Sequence, residues 1–175
     1  MPVRWRVRVE VMRRGLLHLR RRRRLPRSRR LLTPALARLL LKRGADPNLA
    51  ASDGFTPLIQ AVFLQSLPLV QLLLEADADV DAEFEDNGRT AFHAACQMGS
   101  LEVMDALVRA GAALEITDED GWTALMYAAQ CGQAAIVDAL VCGGAAVDAK
   151  SEVTGWTALM WAALGGHAGA CLVYT

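Results

Sequence analysis

Apolar side chains recur three and four residues apart in several short stretches of this chain. They do so in Leu69-Val70-Gln71-Leu72-Leu73-Leu74, Val103-Met104-Asp105-Ala106-Leu107-Val108 and Ile136-Val137-Asp138-Ala139-Leu140-Val141. That spacing lays one apolar stripe along one face of a helix. Each stripe follows a shorter alanine-rich stretch: Ala61-Val62, Ala94-Ala95-Cys96 and Ala128-Ala129, with a fourth at Ala162-Ala163. Alanine adds little bulk, so helices built from it can approach closely. Small and acidic tails close the units: Gly44-Ala45-Asp46-Pro47-Asn48, Asp77-Ala78-Asp79-Val80-Asp81, Gly111-Ala112-Ala113-Leu114-Glu115 and Gly144-Ala145-Ala146-Val147-Asp148. The pattern predicts pairs of short helices joined by polar turns.

The pairs are also written to a fixed period. Gly54-Phe55-Thr56-Pro57-Leu58, Gly88-Arg89-Thr90-Ala91-Phe92, Gly121-Trp122-Thr123-Ala124-Leu125 and Gly155-Trp156-Thr157-Ala158-Leu159 stand 34, 33 and 34 residues apart. A period of that length means one unit copied and stacked. A lone helix pair cannot bury its apolar face, so stability resides in the interfaces between neighbours. Thr56, Thr90, Thr123 and Thr157 stand where a hydroxyl can cap free helix N–H groups. Pro57 follows at the first helical position, where its missing N–H costs nothing. Gly99 and Gly132 fall between helices, where a left-handed residue is needed. The first full unit has Gln65-Ser66 there instead, and Pro68 starts its second helix, which predicts an irregular turn.

At these residues the chain resembles the ankyrin-repeat proteins, whose units open on Asp-x-x-Gly-x-Thr-Pro-Leu-His and close on Gly-Ala-Asp-Val-Asn. The resemblance covers residues 32–175. It implies an all-α fold: an ankyrin-repeat α-solenoid of stacked helix-turn-helix units with short β-turn or hairpin tips. The units run 32–50 (partial), 51–84, 85–117, 118–151 and 152–175 (partial). Ala91, Ala124 and Ala158 replace the family's proline, and only His93 fills its histidine slot, with Ile59, Met126 and Met160 elsewhere. Leu164, Leu172 and Val173 would end the stack without a polar cap. A longer array, or self-association of the open end, would follow.

Net charge is zero for the whole chain and conceals two opposite halves. Residues 1–30 hold thirteen arginines and one acid, Glu10; residues 31–175 hold six basic and eighteen acidic side chains. The first segment, 1–31, reads as a basic arm. Three explanations compete for it: a nuclear-localisation or nucleic-acid patch in Arg20 to Arg24 with Arg27, Arg29 and Arg30, a mitochondrial presequence, or a segment that is disordered or not native to the mature protein. Val3, Trp5, Val7 and Val9 alternate with charged residues at a strand period. No apolar stretch approaches the length needed to span a membrane. Cys96, Cys131, Cys142 and Cys171 show no paired spacing and read as reduced, mostly packed thiols of an intracellular protein, cytoplasmic or brought to the nucleus by the arm.

Little in the chain suggests a reaction of its own. The acidic run Asp77 to Gly88 has Ala82 and Gly88 where a calcium-binding EF-hand loop needs glycine and glutamate. His93 has no nucleophile at a useful offset, and a hydrogen-bonding role inside the repeat explains it. Phosphate loops, zinc-ligand spacings and nucleophile elbows are absent. No cofactor, metal or small-molecule substrate is expected. The resemblance does bring Asn48 forward as a possible modification site, since it is similar to asparagines hydroxylated in ankyrin proteins. A hydrogen-bonding turn residue is the plainer reading of it.

The resemblance places partner binding on the turn tips and first helices. The residue after each glycine is expected to project there: Phe55, Arg89, Trp122 and Trp156. Exposed tryptophan and arginine are interface anchors; the competing reading has these side chains cover neighbouring turns. Arg89 is expected to stack between Phe55 and Trp122. Asp86, Asn87, Glu119 and Asp120, with Asp53 and Glu152 nearby, make the tips acidic, which favours a protein partner with a basic segment. Tyr127 and Trp161 share one slot in successive first helices and are expected to pack between units. The main expectation is an adaptor that binds another protein. The alternatives are a substrate-recognition segment of a kinase, protein acyltransferase or ubiquitin ligase, and a nuclear factor that reaches nucleic acid through the arm.

Overall fold

The computed structural model describes residues 27–166 apart from Asp53, Glu85 and Asp86, with side chains from Pro34 onward. The arm before Arg27, with its alternating valines, and the last residues from His167 lie outside the described residues. The chain divides into two compact units, Met1–Leu36 and Ala37–Thr175. In the first, the described residues form the opening turns of helix α1 (Arg27–Lys42), which starts inside the arginine run. The second unit holds the repeats.

Each repeat folds as the spacing dictates. The alanine-rich stretches form α2 (Pro57–Phe63), α4 (Ala91–Met98), α6 (Ala124–Gln130) and α8 (Ala158–Leu164). The apolar stripes form α3 (Leu67–Leu74), α5 (Leu101–Arg109) and α7 (Ala134–Cys142). The first helices pack in serial order, α2 on α4, α4 on α6 and α6 on α8, and each of the first three also packs on its own second helix. Ala61, Ala94, Ala95, Ala128, Ala129 and Ala162 are buried along this first-helix layer, which is what lets the helices stack closely. Leu58, Ile59, Phe92, Leu125 and Met126 fill the space between layers, each worth about 1.5–3 kcal/mol on burial. The last helix lacks such cover among the described residues. Leu125 and Met126 of α6 are 2% and 0% exposed, whereas Leu159 and Met160 at the same places in α8 are 44% and 49% exposed.

The helix-to-helix turn after α2 is regular, contrary to the expectation of an irregular one. Gln65 takes the left-handed conformation itself, with φ 51°, against 75° for Gly99 and 70° for Gly132. Its hydrogen bonds match theirs: Ser66 N–H donates to the Ala61 carbonyl as Gln133 N–H does to Ala128. The turn's own hydrogen bonds and the packing of α2 on α3 go with a left-handed conformation that glutamine disfavours. Asp77, with φ 59°, does likewise where Gly44, Gly111 and Gly144 close the other second helices.

Of the four threonine caps expected, Thr56 and Thr123 accept helix N–H groups, from Ile59 at 3.3 Å and Met126 at 3.4 Å. Thr90 instead forms a capping box with His93, because histidine at that offset offers a ring nitrogen to the Thr90 N–H. Thr157 makes no side-chain cap bond.

One tip is a true hairpin: β1 (Glu83–Phe84) pairs antiparallel with β2 (Arg89–Thr90), setting Phe84 opposite Arg89. The others are closed by turns, as where Asp118 N–H donates to Trp122 O and Gly121 N–H to Asp118 O. The tips are also laced together, since Glu119 N–H donates to Asn87 O at 2.9 Å and Glu152 N–H to Asp120 O at 3.0 Å. This close approach requires glycine at 121: a Cβ there would lie 2.5 Å from the Glu152 backbone nitrogen, and φ is 73°.

Candidate functional site

A row of rings and one guanidinium runs across the repeats on the side of the tips and first helices. It begins at Phe55, Phe63 and Phe84, whose centroids lie 5.1–5.5 Å apart. The Arg89 guanidinium stands 5.4 Å from the Phe84 ring and 4.5 Å from that of Tyr127, and its Nη2 donates to Gln97 Oε1 at 2.6 Å. Tyr127 then meets Trp122 at 5.0 Å, Trp122 meets Trp161 at 4.2 Å, and Trp161 meets Trp156 at 4.8 Å.

The row has a rule. Two of the glycine-following residues lie on the ring five places past the next unit's glycine-following residue: Arg89 on Tyr127, and Trp122 on Trp161. Phe55 would meet Ala94 by that rule; alanine offers no ring, and Phe55 turns to Phe63 and Phe84 instead. This corrects the expected placement of Arg89 between Phe55 and Trp122. Its flat cation sits between Phe84 and Tyr127 because those are the rings its long side chain reaches.

The expected site residues thus divide. Trp122 is only 2% exposed and forms part of the packing between units, so it is not presented as a surface anchor. Phe55, Arg89 and Trp156 are half-buried. Glu119 and Glu152 are exposed on successive tips, while Asp120 and Asn87 are half-buried there. Asp53 and Asp86 lie outside the described residues. Tyr127 and Trp161, expected between units, carry more of the row than the glycine-following residues do.

Behind the row lies a buried polar cluster. Asp118 Oδ1 accepts from Trp122 N–H at 2.8 Å and Asp120 N–H at 3.0 Å, while Oδ2 accepts from the Tyr127 hydroxyl at 2.6 Å. Burial pushes the Tyr127 hydroxyl far above its ordinary range, so it stays a donor. His93 is buried beside Tyr127, with ring centroids 5.6 Å apart. Its Nδ1 accepts from Thr90 N–H at 3.1 Å, so Nε2 carries the proton and donates to Ile116 O at 3.0 Å. Burial, helped by the Arg89 charge and opposed by Asp118, lowers His93 from 6.5 to about 4. Neutral imidazole is therefore its working form.

Burial likewise raises the Cys96 and Cys131 thiols, which leaves them unreactive at neutral pH. Cys142 is exposed rather than packed. Among the described residues no group of three His, Cys, Asp or Glu side chains could hold a metal ion, and no helix is long and apolar enough to cross a membrane.

The tails carry a second regular feature that spacing alone only hinted at. Asn48 Oδ1 accepts from Asp79 N–H at 2.7 Å, and its Nδ2 donates to Asp77 O at 3.2 Å. Asp81 accepts from Ala113 N–H at 3.1 Å and Glu115 from Ala146 N–H at 3.2 Å. Asn48 is thus the first rung of a ladder that ties each tail to the next.

Known proteins share this arrangement in sequence. The family described as ankyrin repeats (3 copies) matches residues 32–118, 80–151 and 110–173. The chain is similar to the mouse B-cell lymphoma 3 protein homolog, 45% identical over 75 residues, which is 42% of this chain and 16% of that protein. It is similar to mouse ankyrin repeat and SAM domain-containing protein 6, 43% identical over 70 residues, or 38% of this chain and 8% of that protein. Rat protein fem-1 homolog A is 37% identical over 79 residues, or 38% of this chain and 12% of that protein. The matched segments therefore span under a fifth of these relatives' lengths. Stacked helix pairs in serial order, laced tips and the family match over most of the chain agree: this protein belongs to the ankyrin-repeat family.

Proposed function

We propose that the chain is an adaptor segment that docks a basic stretch of another protein across its consecutive tips. Ankyrin repeats are protein-interaction modules, and the observation that carries the finer reading is the placement of Glu119 and Glu152. Both are exposed, on neighbouring tips joined by the Glu152 N–H to Asp120 O bond of 3.0 Å. A partner's cations would meet carboxylates held in register by backbone, without ordering a loop first. The surplus of eighteen acids over six bases in residues 31–175 would steer such a partner in. Reaction chemistry has no place in this reading. Asp118 is committed to three donors, and His93 is enclosed with both ring nitrogens bonded.

Calorimetric titration of the full chain with a peptide of alternating glycine and lysine tests this. Glu119→Lys with Glu152→Lys is expected to weaken binding by roughly tenfold at low salt and to flatten its salt dependence. Unchanged affinity and unchanged salt slope would remove the tips from the binding face.

A further inference from the structure

The chain already displays how its row receives a cation. The Arg89 guanidinium sits over the Tyr127 ring, 4.5 Å from its centroid, while its Nη2 donates to Gln97 Oε1 at 2.6 Å. A planar, weakly hydrated cation suits this geometry: its face takes the ring and its N–H edge takes an oxygen. A lysine ammonium is compact and holds its water more tightly.

At the far end of the row stands Trp156, whose ring meets that of Trp161 at 4.8 Å. Trp122 is covered by its neighbours, whereas Trp156 is half-buried. Its tip also differs. Ser151 N–H bonds to Trp156 O at 3.0 Å, and Gly155 N–H reaches back four residues to Ser151 O. In the previous tip the return is three residues, from Gly121 to Asp118. The longer turn is fastened inside by a hydrogen bond between the Ser151 and Thr154 hydroxyls, and Thr154 Oγ1 accepts from Trp156 N–H at 3.3 Å. This firm base carries Glu152, an exposed carboxylate, on the same turn as Trp156. Tryptophan is the strongest of the aromatic faces for a cation.

We propose that Trp156 with Glu152 forms a receptor for an arginine side chain of the partner: the guanidinium stacks on the indole and its N–H edge bonds the carboxylate. This rests on the basic-partner reading above and sharpens it from any basic stretch to one that contains arginine. The site takes guanidinium in preference to ammonium, because the planar, weakly hydrated cation offers a face to the ring and an N–H edge to the carboxylate.

The test compares two peptides on the full chain by calorimetry at physiological ionic strength: alternating glycine and arginine, and alternating glycine and lysine. The arginine peptide is expected to bind roughly fivefold more tightly. Trp156→Leu is expected to remove that preference, lowering the arginine peptide's affinity more than the lysine peptide's, while Trp156→Phe restores part of it. Glu152→Gln weakens the arginine peptide more than the lysine peptide. Thermal unfolding of each variant identifies any loss that comes from unfolding. Equal affinity for both peptides, unaltered by Trp156→Leu, overturns the receptor and leaves acidic docking intact. Binding of neither peptide overturns both readings.

Discussion

Asp118 is a buried carboxylate in the middle of the stack that serves three donors. Its carboxylate accepts from Trp122 N–H at 2.8 Å and from the Tyr127 hydroxyl at 2.6 Å, and both donors belong to buried residues. Asp118→Ala strands these donors where water does not reach them. Each stranded buried donor costs about 1–3 kcal/mol, and relief of one buried charge offsets part of the total. A net loss of about 3 kcal/mol is expected. Tyr127→Phe removes one hydrogen bond to a charged acceptor and leaves Asp118 two backbone donors, so it costs about 2 kcal/mol. In the double variant no tyrosine hydroxyl is left stranded. The two losses therefore overlap, with a coupling of about 1.5 kcal/mol. Urea unfolding of the wild type, both single variants and the double variant at neutral pH, followed by tryptophan fluorescence, measures it. Losses that add to within about 0.5 kcal/mol would refute the shared bond as a source of stability.

Two further outcomes follow from backbone and burial. Gln65→Gly relieves a left-handed residue worth about 1–2 kcal/mol against about 0.4–1 kcal/mol of extra freedom in the unfolded chain, so the urea midpoint rises by an amount equal to roughly 0.5–1 kcal/mol; an unchanged or lower midpoint contradicts the strain. His93 resists protonation when folded, at about 4, but takes a proton near 6.5 when unfolded. Its neutral-form stability is complete above pH 6.5 and drains away as pH falls toward 4. The gap amounts to about 3 kcal/mol, and His93→Gln is expected to remove that pH dependence, measured as the difference between variant and wild-type unfolding curves.

The stack was legible in the chain because its signals are local and repeated. The glycine phrases, the three-and-four spacing and the alanine stretches each act within a few residues, so period and helix type follow directly. The Gln65 turn was not legible, since a glutamine there predicts distortion, yet φ is 51° and the turn closes with the same hydrogen bonds as at the glycines. The row was half legible. Spacing identified Phe55, Arg89, Trp122 and Trp156 as equivalent, but not that Arg89 and Trp122 reach into the following unit. That offset depends on what fills the slot ahead: Ala94 turns Phe55 aside, while Tyr127 and Trp161 draw Arg89 and Trp122 inward. Buried Trp122 and exposed Glu152 come from the same cause, since burial is decided between repeats and not within one.

The rungs from Asn48, Asp81 and Glu115 each join a side chain to a backbone group 29 to 32 positions onward. Insertion or loss of one whole repeat would leave the remaining joints matched, as with links in a chain. A gain or loss of two or three amino acids within a repeat would put every joint across that point out of step. Length variation among forms of this protein is therefore expected in whole modules, with any smaller change confined to places the rungs do not bridge.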